Sequence, residues 1–599
     1  MVRQFDELPW RLARAVAAAA VIVLCATAPS RAADITQQRL EAPEAEPQNW
    51  LHHHQNYAGH RFADLSQINA QNVRNLRLTG MVLLGGQQPA LGGRQRTTRL
   101  EGTPIVEDGF LYVTDGWGAV YKIDARSGQR LDIVWKFDPQ IDKVWAGDVA
   151  CCGVNNRGVA LWRDLVISIA LDGRMFALRK DSGQEMWERR VADPAVAETL
   201  TAAPLIVRDL AIVGPAGAEY GIRGYLEATD LNRAAQAWKT YTIPGKGEPG
   251  NETWLDPYNA WETGGGSIWV TGTYDPKLDL MYWGTGNPAP QVDAQYRPGD
   301  NLYTNSVLAM DPDDGRIKWY FQYTPNDPFD FDEVSEHTLI DIAGRSLALH
   351  AARNGHMYGF DRSTGQFQFG VPYVNLVTWT PGIDPKTGRP LSYNPNAAMQ
   401  DYDGTVPRRG QVGIFCPALQ GGKNWEPSTY MRSTQTLYVP STEGCSAFVA
   451  VQEGHFEGKL NGTVKKRTEW DGREAAPAGT PTPIAQTRWS VSAIDPMTGR
   501  VRTKVMNDNR TWGLVSTGGS LVFGGNQLGD VFALDGNDLS TLWSFNVGTS
   551  IQGPPISFAV NDKQYIAIMA GGLPGASQRN QRPSTQFFTP SNLLLVFGL

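Results

Sequence analysis

The chain has 599 residues, of which 19% are charged, a formal charge of −7, and 63 Gly, 19 Trp and 20 Tyr. That aromatic, turn-rich, weakly charged composition excludes intrinsic disorder, and the acidic balance argues against nucleic acid as a partner. The length suits several ordinary domains or one large all-β array.

At the N-terminus, Arg3, Arg11 and Arg14 precede an apolar stretch from about Ala15 to Ala28, too short to span a bilayer. Ser30-Arg31-Ala32 places small residues at −3 and −1, so residues 1–32 read as a signal peptide and 33–599 as one exported domain. Leu24 is too bulky for a lipoprotein anchor at Cys25, and no other long apolar run predicts a membrane span. Cleavage removes four Arg against Asp6 and Glu7, which moves the charge from −7 to −9 and permits docking of a basic protein. Cys151, Cys152, Cys416 and Cys445 remain, and three pairings are possible in an oxidising compartment.

His52, His53 and His54 cannot all face one metal from a strand and read as a polar surface turn. From there a phrase recurs: a short strand, usually Asp, a Gly turn, then often Trp. It appears at Asp124/Gly128, Arg179/Gly183/Trp187, Asp230/Trp238, Asp311/Gly315/Trp319, Asp361/Gly365, Asp495/Gly499 and Asp535/Trp543. The successive spacings of 55, 51, 81, 50, 134 and 40 residues are those of propeller blades with inserted loops. The 134-residue gap has room for one more copy near Thr-Leu-Tyr-Val-Pro440, which predicts an all-β, eight-bladed β-propeller, with seven blades as the alternative. The tryptophans read as packing between blades. The stretch from about Gly458 to Gln486 shows no convincing strand.

No Gly-x-Gly-x-x-Gly follows a strand, no phosphate-binding Gly-Lys-Ser/Thr loop occurs, and no Cys-x-x-Cys-His predicts covalent haem. The chemistry-bearing features are different. Cys151 and Cys152 are adjacent in Gly-Asp-Val-Ala-Cys-Cys-Gly-Val-Asn-Asn-Arg-Gly, and pairing them would close a strained eight-membered ring, as is tolerated mainly at functional sites. Two thiols, or cross-links to distant cysteines, are the plainer readings. Arg157 lies in a Gly-flanked loop suited to an anion. Glu219 and Asn287 each stand where a strand meets a loop, and Asp327-Pro-Phe-Asp330-Phe-Asp332 puts two carboxylates on one face if extended. Carboxylate and amide oxygens together suit a hard cation rather than zinc or copper.

The chain resembles the methanol/ethanol family of pyrroloquinoline quinone (PQQ) dehydrogenases, periplasmic eight-bladed propellers. The resemblance runs from Trp50 to Gly575. It rests on the Cys-Cys segment, Gly-Ala-Glu-Tyr-Gly-Ile-Arg-Gly, Tyr-Asp-Pro-Lys-Leu-Asp-Leu-Met-Tyr-Trp-Gly-Thr-Gly-Asn-Pro-Ala-Pro and Ala-Ala-Arg-Asn-Gly. It implies a Cys151–Cys152 ring disulfide over one face of PQQ, with Trp269 on the other. Glu101, Arg157, Thr201, Ser267 and the Ala216-Gly217-Ala218 backbone would hold the quinone's polar edge, with Asn424 and Trp512 as further contacts. Glu219, Asn287 and Asp330 match the metal ligands, Arg353 the residue at the reactive carbonyl, and Cys416–Cys445 a structural disulfide. The implied chemistry is oxidation of an alcohol, with Asp330 as general base and a soluble cytochrome c as electron acceptor.

Three departures matter. Asp332 adds a carboxylate that is associated with lanthanide-type members, although Ala218 stands where lanthanide methanol enzymes tend to have Gly; the metal is a lanthanide or Ca2+, with the lanthanide preferred. Gln291 and Leu573 replace two pocket tryptophans, which predicts primary alcohols larger than methanol. Ala216 replaces a Ser that would bond PQQ, which predicts weaker cofactor binding. A protein-binding scaffold propeller has no reason to keep this set of residues, and sugar or polyol dehydrogenases of the same fold generally lack the cysteine doublet. No interface signature selects an oligomer, so a homodimer stays open.

Overall fold

A computed structural model describes residues 34–91, 98–452, 471–572 and 591–599. The predicted signal peptide and Leu573 lie outside the described residues. Nearly all regular structure is strand, and the described residues contain seven four-stranded sheets, one five-stranded sheet and one three-stranded sheet.

The larger sheets begin, in chain order, with Ile105–Glu107, Ala160–Trp162, Leu205–Val207, Thr273–Asp275, Thr338–Ile342, Thr429–Met431, Thr511–Thr517 and Ile556–Val560. Each continues as an antiparallel meander outward, except that strand Ser446–Ala450 and the insert around it interrupt the sixth. First strands lie beside one another: Ala160–Trp162 meets Leu205–Val207, and Thr511–Thr517 meets both Thr429–Met431 and Ile556–Val560. These first strands are almost wholly buried, as in Thr511–Thr517, whereas outer strands such as Asp132–Phe137 are largely exposed. The sheets therefore stand around a common centre with their outer edges in water.

The repeated phrase has a direct physical basis. Its Asp side chain accepts from backbone N–H groups two or three residues on, as Asp361 does from Ser363 and Thr364, and so fixes the turn after the third strand. The following Gly adopts a left-handed conformation against an aromatic ring of the preceding sheet. A Cβ on Gly183 (φ 72°), Gly315 (φ 69°) or Gly365 (φ 74°) would lie 2.5–2.6 Å from Trp135, Trp238 or Trp319 respectively. The indoles of Trp135 and Trp238 donate to the carbonyls of Lys180 and Pro312 in the next sheet, at 3.1 and 2.8 Å. The tryptophans do pack between sheets, as their position in the phrase suggested.

Closure joins the two ends of the chain. Arg77–Leu84 pairs antiparallel with Asn592–Gly598 and supplies the outer strand of the last sheet. Phe62–Ala63 adds in parallel to Thr511–Thr517.

Two expectations are corrected. His52 and His54 are buried and His53 is only partly exposed; Nε2 of His52 meets the Leu40 carbonyl at 2.7 Å and Nε2 of His54 meets that of Thr271 at 3.0 Å. They do not form a polar surface turn, because these backbone acceptors make burial of a neutral imidazole tolerable. The segment read as strandless contains Arg473–Ala475, which pairs with Ser446–Ala450 in the three-stranded sheet alongside Val412–Phe415. The Cys416–Cys445 disulfide is formed and joins the first two strands of that insert at their base.

Candidate active site

The candidate residues come from connections between strands that converge on one cavity of about 520 Å³. The short helix Lys143–Val149, capped by Asp142, leads into Cys151 and Cys152. Cys152 is left-handed (φ 65°), and its sulfur lies 2.7 Å from that of Cys151. The two are not joined in the structure, since a disulfide bond measures about 2.05 Å.

Arg157 is buried and central. It donates to Glu101 Oε2 (2.7 Å), Thr201 Oγ1 (3.0 Å) and the Trp269 carbonyl (3.2 Å). Its guanidinium lies 5.0 Å from the Trp269 ring and 4.9 Å from that of Trp425. Burial lowers its pKa, opposed by the Glu101 carboxylate. Ala216 exchanges backbone hydrogen bonds with Thr199, which holds the Ala216-Gly217 edge against the cavity.

The second half of the site is acidic. Glu219, on the turn Ala218–Tyr220, has its carboxylate and the sulfurs of Cys151 and Cys152 within 4.8 Å of one another. Burial, with Asp332 and Cys152 nearby, pushes its pKa up to about 8. Asp330 and Asp332 occupy the loop before Thr338–Ile342 and both meet Arg353. Arg353 donates to Asp332 Oδ2 at 2.6 Å and stands 3.5 Å from Asp330 Oδ2. Asp332 Oδ1 also accepts from the Asn287 N–H at 2.7 Å. The loop is not extended, as one-sided spacing assumed: Asp330 is left-handed (φ 65°), because Asp327 accepts from the Phe329 and Phe331 N–H groups and winds the segment around itself. Burial, then the neighbouring carboxylates, raise the Asp330 pKa well above the usual range, against Arg353 and Arg473.

Arg353 is positioned from several directions. Its backbone N–H donates to buried Glu333, which also meets His350 Nε2 at 2.9 Å, and its guanidinium donates to the Leu419 carbonyl at 2.9 Å. A Cβ on Gly421 (φ 74°) would fall 1.9 Å from Arg353 Cγ.

Of the sequence-predicted cofactor residues, Glu101, Cys151, Cys152, Arg157 and Thr201 line the cavity, as do Ala216, Gly217, Trp269 and Asn424. Glu219, Gln291, Asp330, Asp332 and Arg353 line it too. Ala218, Ser267, Asn287 and Trp512 do not line it and are buried. Trp512 packs at 5.9 Å from Trp425. Sequence reading missed Trp425, although it adjoins Asn424, and Arg473, which lies in the stretch read as an inserted loop without a strand.

Whether a cation and a planar quinone fit is answered by atoms with no hydrogen-bond partner among the described residues. Asn287 Oδ1 and Asp330 Oδ1 are buried acceptors without donors, and Arg353 Nε, Arg157 Nε and Trp512 Nε1 are buried donors without acceptors. Buried polar atoms are nearly always satisfied. Oxygen acceptors beside the acidic cluster fit a hard cation. Arg157, beside the Trp269 ring, and Arg353 line the same cavity as the cysteine pair, and their cationic groups fit an anionic planar ring.

Comparison with known proteins agrees with that chemistry. Residues 50–376 match the family model "PQQ: Glucose/ethanol/alcohol dehydrogenase, beta-propeller domain". The chain is 34% identical to the quinohemoprotein alcohol dehydrogenase ADH IIB of Pseudomonas putida, covering 92% of this chain and 78% of that protein. It is also 34% identical to the quinoprotein alcohol dehydrogenase PedH of Pseudomonas putida, covering 86% and 84%. A europium-containing methanol dehydrogenase structure superposes with a TM-score of 0.82 at 30% identity, over 94% of this chain and 100% of that one. A family-model match across more than half the chain, together with these identities along most of its length, shows that the chain belongs to the family of PQQ-dependent β-propeller alcohol dehydrogenases.

Proposed function

We propose that this protein is a periplasmic dehydrogenase that oxidises primary alcohols larger than methanol to aldehydes and passes the electrons to a soluble cytochrome c. The observation that carries the reading is Asp330 on the cavity wall, its buried Oδ1 without a hydrogen-bond partner among the described residues and its Oδ2 standing 3.5 Å from the Arg353 guanidinium. PQQ, when bound, would supply the acceptor for the alcohol's hydride, and a cation beside it would supply Lewis acidity. Asp330 would take the hydroxyl proton as general base. Arg353 keeps a fixed positive charge beside the reacting centre, held there by Asp332, Glu333 and the Leu419 carbonyl.

Glu219, Asn287, Asp330 and Asp332 would hold the cation. Three carboxylates favour a trivalent ion, which supports a lanthanide over Ca2+ here; the europium-containing neighbour points the same way. The cysteine pair, with its sulfurs 2.7 Å apart on the cavity wall, and Trp269 are the residues that would flank PQQ. Reading each of the eight larger sheets as one blade gives an eight-bladed propeller. The substrate-size preference rests on Gln291, which lines the cavity where methanol-type members carry Trp. The absence of Cys-x-x-Cys-His supports an external electron carrier, and the leader-like residues 1–32 support export.

The test is dye-linked alcohol oxidation by protein reconstituted with PQQ and either lanthanum or calcium, on methanol through hexanol. Turnover rising with chain length and requiring lanthanum is the expected result. Turnover with calcium alone overturns the metal, and no turnover under either metal overturns the enzyme.

A further inference from the structure

The three-stranded insert does not extend a blade; it brings a cation to the base. Arg473 begins the strand Arg473–Ala475, and its Nη1 lies 3.9 Å from Asp330 Oδ2 and donates to Gln291 Oε1 at 3.1 Å. The guanidinium is held from behind by Asp471 at 3.1 Å and lies 5.3 Å from the Phe448 ring. The insert is tied to the same wall: the Val292 N–H donates to the Asp471 carbonyl at 3.0 Å, and the Val451 N–H to that of Gly472 at 3.0 Å. Gly472 is left-handed (φ 64°), and a Cβ there would sit 2.9 Å from Asp293 Cβ, so the chain passes too close for a side chain. Gln291 is fixed in turn through its carbonyl, which accepts from buried Arg297 at 2.7 Å. Gln291 and Arg473 line the same cavity as Asp330.

Taking the dehydrogenase reading above as given, we propose that Arg473 and Gln291 form a second substrate subsite beside Asp330 that selects uncharged alcohols bearing a second oxygen, diols and polyols above all. An alcohol donating to Asp330 places its hydroxyl oxygen about 2.8 Å from that carboxylate. An oxygen one or two carbons farther along then reaches the Arg473 N–H groups, given the separation of 3.9 Å between guanidinium and base. The preference is for neutral substrates because Asp471 already balances Arg473. Among substrates of equal length, a plain alkyl end leaves Arg473 and Gln291 without a replacement for their water whereas a second hydroxyl supplies one, which favours the diol.

The test compares kcat/KM for 1,3-propanediol and 1-propanol in the reconstituted wild type, Arg473→Met, Arg473→Lys and Gln291→Leu. The wild type should prefer the diol at least about tenfold, as a hydrogen bond to a charged group implies. Arg473→Met and Gln291→Leu should erase that preference chiefly through a raised KM for the diol, and Arg473→Lys should retain part of it. A wild-type ratio near two, the statistical value for two equivalent hydroxyls, overturns the subsite, as does a preference that survives both neutral substitutions. Oxidation of neither alcohol by the wild type overturns the dehydrogenase reading, and the subsite with it.

Discussion

Asp330 is the residue on which the proposed chemistry turns. Asp330→Asn keeps the volume and the loop but removes the proton acceptor, so kcat should fall by about 10²–10⁴-fold while PQQ remains bound; steady-state kinetics beside the cofactor absorbance of the purified variant checks both. A second prediction concerns stability, at His52. Burial lowers its pKa to about 4 from an unfolded value of 6.5, so below that value the unfolded state binds the extra proton. Its contribution is complete above pH 6.5 and is lost as pH falls towards 4. His52→Gln should therefore gain on the wild type as pH drops through that window, by up to about 1.4 kcal/mol per pH unit. Urea melts of both proteins at pH 7, 5.5 and 4.5 measure it. At this scale the sequence was informative about identity more than about environment. Glu219, Asp330 and Arg353 were legible from their segments, whereas the burial of His52 depends on a carbonyl twelve residues upstream.

At the scale of elements, the base and its arginine are held by turns whose geometry is not encoded in the functional residues themselves. Gly421 is the sharpest case: a side chain there meets Arg353 Cγ at 1.9 Å and would be forced into a left-handed conformation. Gly421→Ala should push the guanidinium off Asp332 and cost about 10²-fold in kcat, the scale expected for an ångström of misplacement. A near-normal kcat would show that Arg353 is not held by this contact. The blade phrase was readable because Asp, Gly and Trp each do one local job that recurs. The insert was not readable, because Arg473–Ala475 is only three residues long and its partner strand lies more than twenty residues away. Short strands carry little periodicity, so pairing alone reveals them.

For the whole molecule, the ends of the chain close the structure through the pairing of Arg77–Leu84 with Asn592–Gly598. Deleting residues 591–599 strips the last sheet of a central strand and exposes the backbone edges of its two neighbours. That truncation should abolish cooperative thermal unfolding and drive the protein to aggregate, whereas a sharp calorimetric transition would show that closure is dispensable. The sequence by itself determined the all-β repeat, the family and fourteen of the residues that line the cavity, because those follow from local turn chemistry and from motifs that lie within single segments. Only the tertiary structure decided that Asp332 is shared between Asn287 and Arg353, that Glu219 faces the cysteine sulfurs, and that Arg473 stands over the base. These depend on which loops from different sheets are brought together. That juxtaposition is set by the packing of one sheet against the next, which no single segment contains.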